Sequence, residues 1–253
     1  MRIIDAVFLG VIQGLTEFLP ISSSGHLVVV QQMFNLRQAG FALNVLLHLG
    51  TIFSILIFFY KDIIALFNKN RKTIYMIFIS MLPTGVLGLF LHGYLENLFE
   101  NIRFVGWMWL INGMVLISAS LYLKFKKSRT FKNSVGFKEA VWIGFSQGVA
   151  VLPGISRSGS TISCAIFSGI EKQQAIRFSM LLSIPAVVAA NIVKINDIQQ
   201  ITDQAGLLPV FLGFITSFLS GILALWILWK AVQKQKFEWF GIYCIIAGTY
   251  ILI

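Results

Sequence analysis

Charge is missing from long stretches of this chain. Residues 41–59, 73–95, 104–123 and 207–229 contain no Asp, Glu, Lys or Arg. A helix of ~20 apolar residues, rising 1.5 Å each, crosses the ~30 Å hydrocarbon core of a bilayer, and each of these stretches is long enough. Residues 178–193 and 239–253 are shorter charge-free runs that can extend into their flanks. Six spanning helices follow. The chain as a whole is 57% apolar and 12% charged, against ~25% charged in ordinary soluble domains. That balance excludes a water-soluble globule, and it excludes disorder, whose signature is low hydrophobicity. Cys164 and Cys244 lie in apolar segments without metal-ligand spacing and read as inert buried thiols.

The formal charge is +10, from 20 Lys and Arg against 10 Asp and Glu. In a soluble protein it would point to nucleic acid; here it is a topology signal. Lys61, Lys69, Arg71 and Lys72 follow the first span, and Lys124, Lys126, Lys127, Arg129, Lys132 and Lys138 follow the third. Lys172 and Arg177 precede the fourth, and Lys230, Lys234 and Lys236 follow the fifth, which accounts for fifteen of the 20 basic residues. Alternating topology puts all four groups on one side. Glu96, Glu100, Asp197 and Asp203 occupy the opposite loops, with Arg103 nearly alone among them. The positive-inside rule then makes the basic side cytoplasmic and places both termini outside. Nucleic acid is not an expected partner; membrane lipids are. Arg2 and the apolar run 6–12 imitate a signal peptide, but no small-residue cleavage site follows, so the segment reads as mature structure.

Two further apolar regions are interrupted. Residues 6–36 carry a single acid, Glu17, and are broken by Pro20 and the serines 22–24; residues 139–170 are broken by Pro153-Gly154 and carry Arg157. Proline inside an apolar run disfavours a continuous helix. Each region fits two half-helices meeting at a polar turn, whose bared backbone must face protein or a cavity. Their sequences also match each other. Residues 10–26 read GVIQGLTEFLPISSSGH and residues 144–160 read GFSQGVAVLPGISRSGS, and Leu46-Leu47-His48 loosely matches Leu181-Leu182-Ser183. A re-entrant pair plus three spans is an odd number of crossings, so the second copy is inverted.

The expected fold is therefore an all-α integral membrane protein with six transmembrane helices and two re-entrant helix pairs in an inverted-topology repeat. It forms a single membrane domain, 1–253. Repeat one covers 1–123 with its re-entrant pair at 2–36, residues 124–138 are a basic cytoplasmic linker, and repeat two covers 139–253 with its pair at 139–170. Inverted repeats with broken helices place their site near the midplane.

A charge at mid-bilayer costs ~2.5–3.5 kcal/mol even on the lenient insertion scale. Glu17 and Arg157 are the two deep charges, one from each repeat. Gln13 and Glu17 share a helix face at i,i+4. Ser22, Ser23, Ser24, Gly25 and His26 open the second half-helix of repeat one; Gly154, Ser156, Arg157, Ser158, Gly159, Ser160 and Thr161 do the same in repeat two. Hydroxyls, glycines and free N–H groups at a helix start favour an anion, and the planar fork of Arg suits phosphate. A buried ion pair alone would not call for so many small polar side chains around it.

These motifs resemble the undecaprenyl-diphosphate phosphatase, or bacitracin-resistance, family. Gln13 and Glu17 match its Glu/Gln-x-x-x-Glu signature, which continues into Ser-Ser-x-Gly-His, and Pro153–Thr161 matches its Pro-Gly-x-Ser-Arg-Ser-x-x-Thr signature. The resemblance covers essentially the whole chain. It implies an integral hydrolase of the bacterial cytoplasmic membrane that removes the terminal phosphate of undecaprenyl diphosphate at a site facing the outer side. Glu17, Ser23, His26 and Arg157 match the family's functional positions, with Gln13, Ser24 and Ser156 in support. Gln13 stands where many members have Glu, so a scheme with two acidic metal ligands does not carry over. Its carbonyl oxygen still serves Mg²⁺ or Ca²⁺, which accept mixed oxygen ligands, with Gln13 and Glu17 as the candidate ligands.

The nucleophile stays open at this level: Ser23 with His26 as base or acid, His26 itself, or a water. His92 reads as structural, and the repeat can bring His48 near the site. The acid-phosphatase-like lipid phosphatases share a Ser-Gly-His element, but their later His and Asp positions here hold Ser163 and Phe167. The alternative function is a polyprenyl-phosphate transporter or flippase using the same midplane site, which has no need of Ser23 and His26. A homodimer is compatible with this sequence, which does not decide oligomeric state.

Overall fold

The structure, a computed structural model, describes residues 2–33, 37–68, 70–125, 131–192 and 206–253. Residues 34–36 of the first broken segment, Lys69, the linker residues Lys126, Lys127 and Arg129, and the loop acids Asp197 and Asp203 lie outside the described residues. Eleven helices account for most of what is described: α1 Ile3–Phe18, α2 Ser23–Met33, α3 Arg37–Phe58, α4 Tyr60–Asn68, α5 Arg71–Glu100, α6 Ile102–Phe125, α7 Phe137–Val149, α8 Arg157–Phe167, α9 Lys172–Ile192, α10 Leu207–Gln233 and α11 Glu238–Leu252. Among the described residues there is no strand, only an isolated bridge between Lys132 and Ile170.

Four of these helices, α5, α6, α9 and α10, are long and apolar enough to cross a membrane, and the bent pair α3–α4 makes a fifth. With 15 residues, α11 is apolar but falls short of a full crossing by itself. Two details depart from the sequence expectation. The basic stretch after the first span is not simply a loop: α4 lies within it, bent 70° away from α3. Likewise α5 continues through Glu96 to Glu100 instead of ending at residue 95. Asn101 then interrupts the chain in extended conformation, and its Oδ1 accepts the N–H of Phe104 at 3.1 Å, so α6 begins at once.

Both broken segments are helix–turn–helix pairs, interrupted where proline predicts. Leu19, before Pro20, is extended at φ −64° and ψ 140°, as the proline ring requires, so α1 ends there. Around Pro153, Gly154 takes φ +97°, a left-handed conformation that glycine adopts freely.

Each segment's first helix packs against a helix from the other half of the chain. Gly10 and Gly14 of α1 lie against α10, where a Cβ on Gly10 would sit 2.5 Å from the Gly213 carbonyl oxygen. Gly144 and Gly148 of α7 lie against α5 in the same manner, with the Ser80 carbonyl oxygen 2.1 Å from a Cβ on Gly144. Hydroxyls across each crossing reach the facing carbonyls: Thr216 to Val7 and Ser220 to Gly10, both at 3.4 Å, and Ser80 to Ala140 and Thr84 to Gly144, both at 2.8 Å. With no hydrophobic drive between helices in lipid, close backbone approach and such hydrogen bonds supply the association. The main core, including Phe18, Leu116, Ile143, Ile162, Ile166 and Phe237, is fully buried where the two halves meet.

Candidate active site

Glu17 occupies the last turn of α1, one helical turn after Gln13, and Arg157 is the first residue of α8. Both sit beside their turns, and the packing of the halves brings them together. Arg157 Nη2 lies 2.6 Å from Glu17 Oε1. The other carboxylate oxygen accepts the Ser23 hydroxyl at 2.7 Å and the Gln13 amide N–H at 3.0 Å, with His48 Nε2 at 3.7 Å. Glu17 itself is buried. Four expected or suspected residues thus converge on one carboxylate, and Ser23 is the hydroxyl that touches it.

His26 is placed otherwise. Its Nδ1 is 2.7 Å from the Ser22 carbonyl oxygen and its Nε2 is 2.6 Å from the Tyr243 hydroxyl. The Ser23–His26 pair, one of the alternatives left open, does not form: the hydrogen-bond acceptor of the Ser23 hydroxyl is Glu17. The reason is the turn's geometry, since Ser22 opens α2 and its carbonyl takes the ring nitrogen one helical turn on.

The remaining small polar residues build the two turns. Ser22 Oγ accepts the Gly25 N–H at 3.2 Å and lies 3.2 Å from Ser24 Oγ. Ser156 caps α8 by accepting the Gly159 N–H at 3.1 Å, with Ser158 Oγ 3.1 Å away. Thr161 bonds back to the Arg157 carbonyl at 2.8 Å and meets Ser179 Oγ at 2.6 Å. Gly25 is buried against the Trp109 indole and Gly154. Ser160 turns to the other face of α8, where a cavity of about 440 Å³ between α6, α7 and α8 is also lined by Ser163 and Cys164.

Two residues that the sequence did not single out hold the turns, and one of them bridges both. Asn112 donates to the Pro20 carbonyl at 2.9 Å and accepts the Ser156 N–H at 3.1 Å, so one side chain holds both turns. Trp109 Nε1 donates to the Ile21 carbonyl at 3.0 Å. Asn112 was detectable as a lone amide inside the charge-free run 104–123, whereas Trp109 carried no signal. Cys244 is buried, as expected, and Cys164 partly so.

For a hard cation the site offers one carboxylate and the Gln13 Oε1 atom, which is buried with no partner. Among the described residues no three His, Cys, Asp or Glu form a metal cluster. Both Glu17 oxygens already accept hydrogen bonds, from Arg157 on one and from Ser23 and Gln13 on the other. A hard cation would therefore find only Gln13 Oε1 free and would share Glu17 with those donors.

Residues 6–250 match the family model described as bacitracin resistance protein BacA. The chain is similar to the undecaprenyl-diphosphatase of Halothermothrix orenii, 38% identical over 259 residues, covering 100% of this chain and 98% of the relative. It is also similar to those of Carboxydothermus hydrogenoformans, at 37% over 100% and 97% of the two chains, and of Desulfosudis oleivorans, at 39% over 98% and 97%. A match over nearly the whole length, at these identities, places the chain in the bacitracin resistance protein BacA family.

Proposed function

We propose that this protein hydrolyses undecaprenyl diphosphate to undecaprenyl phosphate and inorganic phosphate, regenerating the lipid carrier for cell-wall polymers and so conferring bacitracin resistance. One observation carries the reading: a buried carboxylate binds a guanidinium at 2.6 Å on one oxygen and a serine hydroxyl at 2.7 Å on the other. That is an anion clamp beside an activated nucleophile. The names of the relatives support the same activity.

In the first step the Ser23 Oγ–H proton passes to Glu17, Oγ bonds to the terminal phosphorus, and the bridging P–O bond breaks. Undecaprenyl phosphate leaves with that electron pair. Arg157, released from Glu17 as the carboxylate takes the proton, donates to the phosphoryl oxygens and stabilises their charge, the main term in phosphoryl transfer. In the second step water attacks the phosphoserine with His26 Nε2 taking its proton, the P–Oγ bond breaks, Oγ recovers its proton from Glu17, and His26 then releases its proton to solvent as phosphate leaves. Gln13 Oε1, with Glu17 before it takes the Ser23 proton, would hold a divalent cation, Mg²⁺ or Ca²⁺, which would shield phosphate charge. A flippase has no use for a serine hydroxyl aimed at a carboxylate, so that alternative is not favoured.

The substrate is a polyprenyl diphosphate met within lipid. The matched glycine contacts of α1 on α10 and of α7 on α5 support an inverted repeat, 1–123 and 139–253, with α1–α2 and α7–α8 as re-entrant pairs among six spans. The basic groups around Lys61, Lys124, Lys172 and Lys230 face the cytoplasm in this arrangement, and the site and both termini face outward across a bacterial cytoplasmic membrane.

The test is phosphate release from a polyprenyl diphosphate by protein purified in detergent, with and without chelator. Release that stops on chelation and returns with Mg²⁺ or Ca²⁺ is expected. No release under any condition overturns the phosphatase reading, and release unaffected by chelation removes the cation from it.

A further inference from the structure

Tyr243, on α11, reaches across from the far end of the chain to His26, and no motif points to it. His26 Nδ1 faces the Ser22 carbonyl at 2.7 Å. A carbonyl only accepts, so Nδ1 carries the proton and, in the neutral ring, Nε2 presents its lone pair. The Tyr243 hydroxyl at 2.6 Å then donates to Nε2. The two rings meet edge to edge and nearly coplanar, with an interplanar angle of 9° and centroids 5.7 Å apart. Trp109 packs on the imidazole at 4.9 Å and is itself anchored on the Ile21 carbonyl at 3.0 Å. Tyr243 is 44% exposed and His26 is partly buried, whereas Glu17 is buried.

We propose that Tyr243 is a positioning residue for the phosphatase reaction: its hydroxyl fixes the rotation of the His26 ring and keeps the Nε2 lone pair where the attacking water arrives. The Nδ1–Ser22 bond selects the tautomer, but a single bond leaves the ring free to swing about its axis; the second bond, with Trp109 packed on the ring, stops that. The water displaces the phenol hydroxyl from Nε2 when it enters, and the phenol returns after phosphate leaves. The assignment rests on the phosphatase reading for its kinetic part and on the geometry alone for its spectroscopic part.

Two measurements test it. In wild-type protein labelled with ¹⁵N-histidine, with the His26 signal assigned by loss in His26→Gln, the ring is expected to be protonated on Nδ1 and unprotonated on Nε2. The Nε2 resonance should move in Tyr243→Phe, which keeps the aromatic ring and removes only the hydroxyl. The opposite tautomer in wild-type protein, or an Nε2 resonance indifferent to the hydroxyl, overturns the proposal. Kinetically, Tyr243→Phe should lower kcat roughly tenfold with KM unchanged, the size of a small misplacement of a catalytic group. In a His26→Gln background the same substitution should have no further effect. An unchanged kcat, or a full extra loss in that background, also overturns it. If wild-type protein releases no phosphate, the phosphatase reading fails while the tautomer measurement still decides the His26–Tyr243 assignment.

Discussion

The turn that opens α2 and the turn that opens α8 share a hydrogen-bond frame and differ in what they carry. In both, a serine hydroxyl accepts the N–H three residues on, Ser22 from Gly25 at 3.2 Å and Ser156 from Gly159 at 3.1 Å. In both, that hydroxyl also meets the serine two places later, Ser24 or Ser158. The next backbone bond repeats as well, His26 N–H to the Ser22 carbonyl at 3.2 Å and Ser160 N–H to the Ser156 carbonyl at 2.8 Å. The position after the capping serine, however, is Ser23 in one and Arg157 in the other, and the fourth after it is His26 against Ser160. Glu17, in the last turn of α1, has no acidic counterpart in α7 after Gln147. The frame is duplicated and the chemistry is divided: the first turn holds acid, nucleophile and imidazole, the second holds the guanidinium, and neither turn is a site alone.

The division makes the cross-repeat pair the most sensitive point. Arg157→Ala should lower turnover by ~10²–10³-fold, the usual loss on removing a preorganised donor to developing charge. Arg157→Lys should recover only part, because an ammonium lacks the two-pronged donor geometry. Glu17→Gln should lose ~10²–10⁴-fold by removing the proton acceptor from Ser23 while keeping the amide's size. Phosphate release by each purified variant is the measurement. A Glu17→Gln enzyme near wild-type rate would return the base role to His26 and break the division drawn here.

The scaffold half of the comparison is tested by the glycines. Gly10→Leu and Gly144→Leu should each cost ~1–3 kcal/mol or more by forcing apart α1 from α10 and α7 from α5, seen as lower unfolding temperatures in detergent. Gly85→Ala, on the same α5 but with nothing within 4 Å of the new Cβ, should gain up to ~1 kcal/mol in helix propensity. Equal losses from Gly10→Leu and Gly144→Leu sharpen the repeat; a loss at only one of them confines it to sequence.

How much of this was legible beforehand follows from the physics of each feature. Proline placed both breaks, because a missing N–H acts locally: the helices end at Phe18 and Val149, just before Pro20 and Pro153. The deep charges were legible because burial makes each of them expensive, and Glu17 and Arg157 do meet. The partner of Ser23 was not. Which acceptor a hydroxyl finds depends on which turn of helix faces it, and the Ser22 carbonyl takes the His26 ring before Ser23 reaches it. Tyr243 was invisible because the antiparallel crossing of α6 and α11 brings it to His26 through tertiary packing, and an aromatic in an apolar helix looks like any other. The helix α4 was obscured by Lys61 within it and by Lys69, Arg71 and Lys72 after it in sequence, which signal topology and say nothing of secondary structure.

The smallest test isolates the backbone difference at the two capping serines. Ser22 sits at φ +69°, whereas Ser156 caps from φ −84° and the left-handed residue of its turn is Gly154. A left-handed conformation costs an L-residue ~1–2 kcal/mol and costs glycine nothing. Replacing either serine by glycine loses the cap hydroxyl, a few tenths of a kcal/mol, and adds unfolded-chain freedom of ~0.5–1 kcal/mol. Both penalties are common to the two sites and cancel in the difference. Ser22→Gly should therefore be more stable than Ser156→Gly by ~1 kcal/mol, read as the gap between their unfolding temperatures in the same detergent. Equal temperatures would mean that the Ser22 turn relaxes out of the left-handed region at no cost, and the two turns would then share their backbone as well as their hydrogen bonds.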